Sequence, residues 1–361
     1  MPEPVLDVKY SWAESPTAGT HAGTVTVSAG DPEKPVVVLL HGNGGNSDHM
    51  AAPDRSPGEN YDFRSSLPPT RTIGWRSYPG VGVWSFELDP TKTVRGWQPV
   101  LNQNGFRTVN YSQVDPDGLL ARPVLELTGI VRALVAALPD AHFAFLAHSR
   151  GGLLLRKFLK DTANDPAIKG RVAFAITLHS PHGGSELATV ANAVNTAVAS
   201  LRSTFGSFVD TALGWLTDIV NSPSYQELRV GSPFLVSLAQ GEAPVPGVAY
   251  HTFGGTSPLL TRIRSWVYTV SSAIPQWHLP PFHHRITCIE VPVASPILNS
   301  LPNLTPEITE AEGDILVADV RAHLSFSLQH TDGLNHAEAL WDSGLEAQVL
   351  RILGASANVW G

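Results

Sequence analysis

Three side chains able to do chemistry together occur in this sequence in a telling order: Ser149, then Asp314, then His336. A serine hydroxyl is a weak nucleophile near neutral pH. It needs an imidazole to take its proton and a carboxylate to hold that imidazole in one tautomer. Ser149 lies in Phe143-Ala144-Phe145-Leu146-Ala147-His148-Ser149-Arg150-Gly151-Gly152, an apolar run followed by Leu154, Leu155, Phe158 and Leu159 at the spacing of one buried helix face. The expectation is strand, sharp turn, helix, with the serine at the tip of the turn. Ala147 and Gly151, two positions either side, leave room for strand and helix to pass closely. A serine in such a place can also simply cap a helix N-terminus. The company it keeps decides between the two.

That company is found near the C-terminus. Glu312-Gly313-Asp314-Ile315-Leu316-Val317-Ala318-Asp319 sets Asp314 beside a short apolar strand, where a triad acid belongs, and Gly333-Leu334-Asn335-His336 sets His336 in a loop before a helix. Serine, acid, histidine is the order used by hydrolases whose nucleophile sits on an elbow of this kind. Asp319 is the second choice for the acid because it lies past the strand. Asp332 ranks lower, since it is only four residues from His336 and acid and base normally come from different loops. His330 and His323 are the alternatives for the base, and His336 is preferred.

The elements that must position these groups alternate. Val36-Val37-Val38-Leu39-Leu40 is a continuous β-branched run of the kind buried on both faces of a sheet. It ends in His41-Gly42-Asn43-Gly44-Gly45, whose glycines permit backbone amides to point at a ligand, although an ordinary strand-to-helix loop reads the same way. A short helix near Trp97–Leu101, a strand over 105–111, a helix over 124–138 stopped by Pro139, the elbow, and a strand over 172–178 follow in turn. A further strand is expected over 247–253. Strands alternating with helices predict an α/β fold with a largely parallel sheet covered on both faces. No repeat or linker divides the chain, so residues 1–361 are expected to form one domain. The apolar period running from Leu187 to Val220 interrupts the alternation, and residues 186–246 are expected to form a helical cap. Residues 48–92 and 258–306 lose periodicity and are expected as loop insertions near the site.

Composition narrows the partners. With 24 Lys and Arg against 32 Asp and Glu the formal charge is −8, and there is no dense basic block, so a nucleic-acid partner is not expected. The one cysteine, Cys288, excludes an intrachain disulfide and a thiolate metal cluster, and it reads as a small strand residue. His278, His283 and His284 lie close together without carboxylate or cysteine partners at a ligand spacing, so no metal and no cofactor are expected. No apolar stretch approaches the roughly 20 residues that span a bilayer. The N-terminal residues lack the basic patch and apolar core of a signal peptide, which leaves the compartment open between cytoplasm and secretion after signal removal.

Taken together, His41-Gly42-Asn43-Gly44-Gly45, Ala147-His148-Ser149-Arg150-Gly151-Gly152, Ser180-Pro181-His182-Gly183-Gly184-Ser185, Gly313-Asp314-Ile315-Leu316-Val317 and the His336 segment resemble the lipase class of the α/β-hydrolase family. The likeness is to bacterial triacylglycerol lipases and lecithin:cholesterol acyltransferase-like enzymes, and it spans about residues 36 to 340. Alanine two before the serine is a variant found among bacillar lipases. The resemblance implies Ser149 as nucleophile, His336 as base and Asp314 as acid, with the backbone amides of Asn43 and Arg150 forming the oxyanion hole. It implies hydrolysis of a small or lipid-like carboxylic ester through an acyl-enzyme. Acyl transfer, amide hydrolysis and an idle ligand-binding scaffold are the rival readings.

Overall fold

Two alternating segments, Leu6–Ala13 (β1) and Thr20–Val27 (β2), open the chain as an antiparallel pair in continuous register from Leu6 opposite Val27 to Ala13 opposite Thr20. The apolar run Val36–Leu40 (β3) is buried along its whole length. After it come a short helix Ser47–Ala51 (α1), strands Arg71–Tyr78 (β4) and Val81–Glu87 (β5), helix Trp97–Gln103 (α2) and strand Thr108–Asn110 (β6). The long amphipathic helix Ala121–Ala137 (α3) leads to the fully buried strand Phe143–His148 (β7), helix Arg150–Thr162 (α4) and strand Val172–Leu178 (β8). Helices Pro223–Glu227 (α5) and Pro233–Ala239 (α6), strands Ala249–Gly255 (β9), Ile263–Tyr268 (β10), Arg285–Val291 (β11) and Leu328–Asp332 (β12), and helix Ser343–Gly354 (α7) complete the elements. The computed structural model describes residues 3–53, 95–186, 199, 222–256, 306–308, 311–314, 316–334, 336 and 338–354, and the backbone of β4, β5, β10 and β11.

Eight strands form one sheet in the order β1-β2-β6-β3-β7-β8-β9-β12. From β6 to β12 every neighbour is parallel, and β1 and β2 add an antiparallel edge. Strands buried on both faces must feed two cores, and side-chain alternation shows this directly. Val36, Val38, Leu40, Phe143, Phe145 and Ala147 pack with Val124, Leu127 and Ile130 of α3 and with Leu154 and Phe158 of α4. Val37, Leu39, Ala144 and Leu146 pack on the opposite face with Met50 of α1, Trp97 and Leu101 of α2 and Leu345 and Val349 of α7. Helices therefore cover both faces, as the alternation of elements predicts.

The expectation of loops over 48–92 and 258–306 meets a different observation. Each segment contributes two strands to a second sheet, antiparallel throughout, in the order β10-β11-β5-β4. The register aligns Trp75 with Trp84, Trp84 with Cys288 and Cys288 with Trp266. Cys288 thus lies on a strand. Of the expected cap, residues 187–198 and 200–221 lie outside the described residues, as do His278, His283 and His284. The described remainder of 186–246 contains α5 and α6. The stem is tied: Ser185 donates its amide to Leu228 O at 2.7 Å, and its hydroxyl lies 3.1 Å from the Tyr225 hydroxyl.

Candidate active site

Ser149 stands between β7 and α4 with φ 56° and ψ −129°, a backbone conformation that non-glycine residues seldom adopt. Strain of this kind persists only where the surroundings over-determine it. Here the turn is held by the Ser149 amide donating to Leu178 O at 2.9 Å and by the start of α4 behind it. The small residue at Gly151 is obligatory, because a Cβ there would lie 2.6 Å from Leu40 O and 2.7 Å from His41 O. Ser149 makes no side-chain cap bond to the helix, which removes the capping role as the reason for a serine here. Its residue is 7% exposed.

His336 and Asp314 meet as the resemblance implies. His336 Nδ1 donates to Asp314 Oδ2 at 2.8 Å, and the His336 amide donates to the Asp314 carbonyl at 2.9 Å. The other carboxylate oxygen, Oδ1, accepts the amides of Leu316 and Val317 at 2.9 and 2.7 Å. Asp314 is fully buried, and burial alone would push its carboxyl up. The facing imidazoles of His336 and His179 and their hydrogen bonds outweigh that and hold it far below the usual carboxylate range. His336 Nε2 is buried and makes no hydrogen bond among the described residues.

One expectation is corrected here. Asp314 does not adjoin a sheet strand: the segment after it folds back through the bridge between Gly313 and Ala318, and β12 forms only at Leu328. Asp314 is oriented by its own turn, through the two amides on Oδ1. The competing candidates are engaged elsewhere. Asp319 receives the Thr331 hydroxyl and lies 3.1 Å from His323 Nε2. His330 stacks on Phe253 and pairs with His251, and Asp332 pairs with His179.

On the other side of the serine lies the loop that follows β3. A Cβ on Gly42 would come within 2.9 Å of Ser149 Cβ, so the loop backbone runs directly against Ser149. His41 is locked beneath it, Nε2 accepting the Gln113 amide at 2.9 Å and Nδ1 lying 2.9 Å from Gly42 O. Burial draws the His41 imidazole down to about 3, against the opposing pull of the Gly42 carbonyl. Asn43 is gripped by its side chain: Ser224 Oγ donates to its Oδ1, and its Nδ2 lies 3.4 Å from Ser222 Oγ. Arg150, the first residue of α4, sends its buried guanidinium to Pro116 O at 2.9 Å and to Gly118 O. Pro116 O also accepts the Gly44 amide at 3.1 Å. The Arg150 side chain thus braces the same loop to which its backbone amide is opposed.

Several of these participants are invisible in sequence patterns. His148 caps the His336 carbonyl through Nε2 at 2.8 Å, with ring centroids 4.8 Å apart, and burial first, then the neighbouring His336, keeps its imidazole neutral. Its place directly before the serine is the only signal it carries. His179 Nδ1 lies 2.8 Å from Asp314 Oδ2. His179, Asp314 and His336 bring ligand-type atoms within 4.8 Å of one another, a metal-like spacing. The residues do not fit a metal: two amides occupy Oδ1 and two imidazole nitrogens already crowd Oδ2.

No protein-family model matches the chain, and no curated protein matches it. Among solved structures it is similar to mature Bacillus licheniformis lipase BlEst2, at 17% identity over 90% of this chain and 94% of that one, with a TM-score of 0.48. It is similar also to Staphylococcus hyicus lipase, at 13% identity over 91% and 98% with a TM-score of 0.47. A metagenomic carboxyl esterase, MGS0156, is similar at 12% identity over 90% and 77% with a TM-score of 0.46. Likenesses of this degree assign no role to the chain. Its own fold is α/β, an eight-stranded, mostly parallel sheet with helices on both faces.

Proposed function

We propose that the chain is a serine hydrolase acting on carboxylic esters, with Ser149 as nucleophile, His336 as base and Asp314 as acid. The observations that carry this reading are the buried 2.8 Å bond from His336 Nδ1 to Asp314 and the strained backbone of Ser149 at the turn between β7 and α4. In the reaction Ser149 Oγ attacks the acyl carbonyl while His336 Nε2 takes its proton. Asp314 holds the Nδ1–H tautomer and stabilises the imidazolium that forms. Charge gathers on the former carbonyl oxygen, which the amides of Asn43 and Arg150 receive. Preorganised donors of this kind are worth about a hundredfold or more each. His336 then returns the proton to the leaving alcohol, and water repeats the sequence to release the acid and restore Ser149.

The ester has an acyl or aromatic group of moderate size. Fluorophosphonate labelling tests the reading. The expected result is a single adduct on the Ser149 peptide and turnover of a short p-nitrophenyl ester that Ser149→Ala abolishes. Folded protein that takes no label at Ser149 would leave only a binding scaffold, and labelling with turnover of amides but not esters would move the substrate class.

A further inference from the structure

Asp314 is approached from two sides, and only one of them belongs to the triad. At the end of β8, His179 turns out of the strand with φ 51° while its amide still bonds to Phe253 O at 2.8 Å. Its ring is fully buried, 6.1 Å from that of His336 by centroids. Nδ1 lies 2.8 Å from Asp314 Oδ2, off the line of a formed hydrogen bond, and Nε2 lies 3.2 Å from Asp332 Oδ2. Asp332 is itself oriented, its Oδ1 accepting the Leu334 amide at 3.1 Å. Space for the imidazole is made by Gly255, where a Cβ would collide with the ring. An imidazole placed between two carboxylates, on a strained backbone and in a gap kept open by a glycine, is built into the site.

We propose that His179 is a positioning residue for the triad: wedged between Asp314 and Asp332, it holds Asp314 Oδ2 toward His336 and returns positive charge to the acid from the side away from the base. The proposal rests on the triad reading above. The charged and titratable groups around the ring are Asp314, Asp332, His336 and His148. Burial alone would expel the proton, but the two carboxylates overcome it and push the His179 imidazole up to about 10. A cation at Asp314 lessens the pull of that carboxylate on an imidazolium at position 336. Asp314 then presents less net negative charge to its neighbours than a lone buried carboxylate would.

His179→Asn tests this. Asparagine tolerates the left-handed backbone, and its amide nitrogen stands where Nδ1 stood, so an N–H group stays beside Asp314 while the charge and the link to Asp332 are lost. The acid limb of kcat/KM for a p-nitrophenyl ester is expected to move up by about one pH unit, an approximately tenfold loss at pH 5 relative to the plateau. A lowered plateau with an unmoved limb would mean a structural role only and would overturn the proposal. A second measurement needs no variant. In ¹⁵N-histidine-labelled protein, a ring protonated at both nitrogens should persist at pH 8.5, and finding every imidazole neutral there also overturns it. Fluorophosphonate labelling of the parent protein separates the two readings. A labelled parent with an unmoved limb defeats only the role of His179. An unlabelled parent defeats the triad, and the nitrogen spectra then decide the charge on His179.

Discussion

The two sides of Ser149 are held by different forces. On the acid side, half-buried Asp332 and buried His179, Asp314 and His336 form a chain of alternating carboxylates and imidazoles at 3.2, 2.8 and 2.8 Å. On the oxyanion side, the loop from His41 to Gly44 is held by neutral hydrogen bonds to Gln113, Ser224 and Pro116, with one cation, Arg150, aimed at carbonyl oxygens rather than at a carboxylate. Charges in a low-dielectric interior interact strongly, whereas neutral hydrogen bonds are weaker one by one. The division suits the chemistry. In the proposed reaction the acid side hands a proton back and forth, and the oxyanion side stays in place while charge arrives.

Breaking the acid side should cost most. Ser149→Ala and His336→Ala are each expected to lower kcat on the order of 10⁶-fold, because triad members act as a unit. Asp314→Asn removes the charge and the tautomer constraint and should cost about 10⁴-fold. Asp319→Asn, whose side chain bonds to Thr331 and His323, should leave kcat within about twofold. Steady-state kinetics on one short ester rank all four, and an Asp319 variant as damaged as Asp314→Asn would transfer the acid. The oxyanion side should break more gently. Arg150→Ala keeps the backbone amide but frees the Pro116 and Gly118 carbonyls, and kcat is expected to fall about a hundredfold with KM little changed. Ser224→Ala withdraws one donor from Asn43 and should cost about tenfold. Equal losses from Arg150→Ala and Asp314→Asn would erase the distinction between the two sides.

Much of this was legible in the sequence, for identifiable reasons. Val36–Leu40, Phe143–His148 and Val172–Leu178 are buried on both faces, so their runs are uninterrupted and their strand identity shows without context. The elbow shows because close passage of β3 forbids a Cβ at Gly151. Less was legible where partners are distant. His179 and Asp332 are 153 positions apart and meet because β8, β9 and β12 are neighbours. The same holds for β5 and β11, whose pairing brings residues 81–87 against 285–291, so neither segment looks like a strand by itself. Asp314 is singled out by order along the chain, and the expected strand beside it does not form. Its Asx-type turn depends on Leu316 and Val317 amides, which no side-chain pattern reports.

The smallest expected effect is on stability, and it separates the two sides by sign. His41, on the oxyanion side, has its imidazole drawn down to about 3, so the unfolded chain binds a proton below about pH 6.5 that the folded chain refuses. Stability should therefore fall as pH drops from about 6.5 toward 3, by about 1.4 kcal/mol per pH unit for this group, and buried His148 and His182 add to the same flank. His179, on the acid side, is shifted the other way, up to about 10. Its contribution is complete below about pH 6.5 and is lost as pH rises through 10. Urea midpoints at pH 5, 6.5 and 9 should thus describe a maximum near pH 6.5. His41→Gln should shallow the acid flank and leave the alkaline one, while His179→Asn should do the reverse. If His179→Asn flattens neither flank, its imidazole is neutral in the fold, and the acid side is held by hydrogen bonds much as the oxyanion side is.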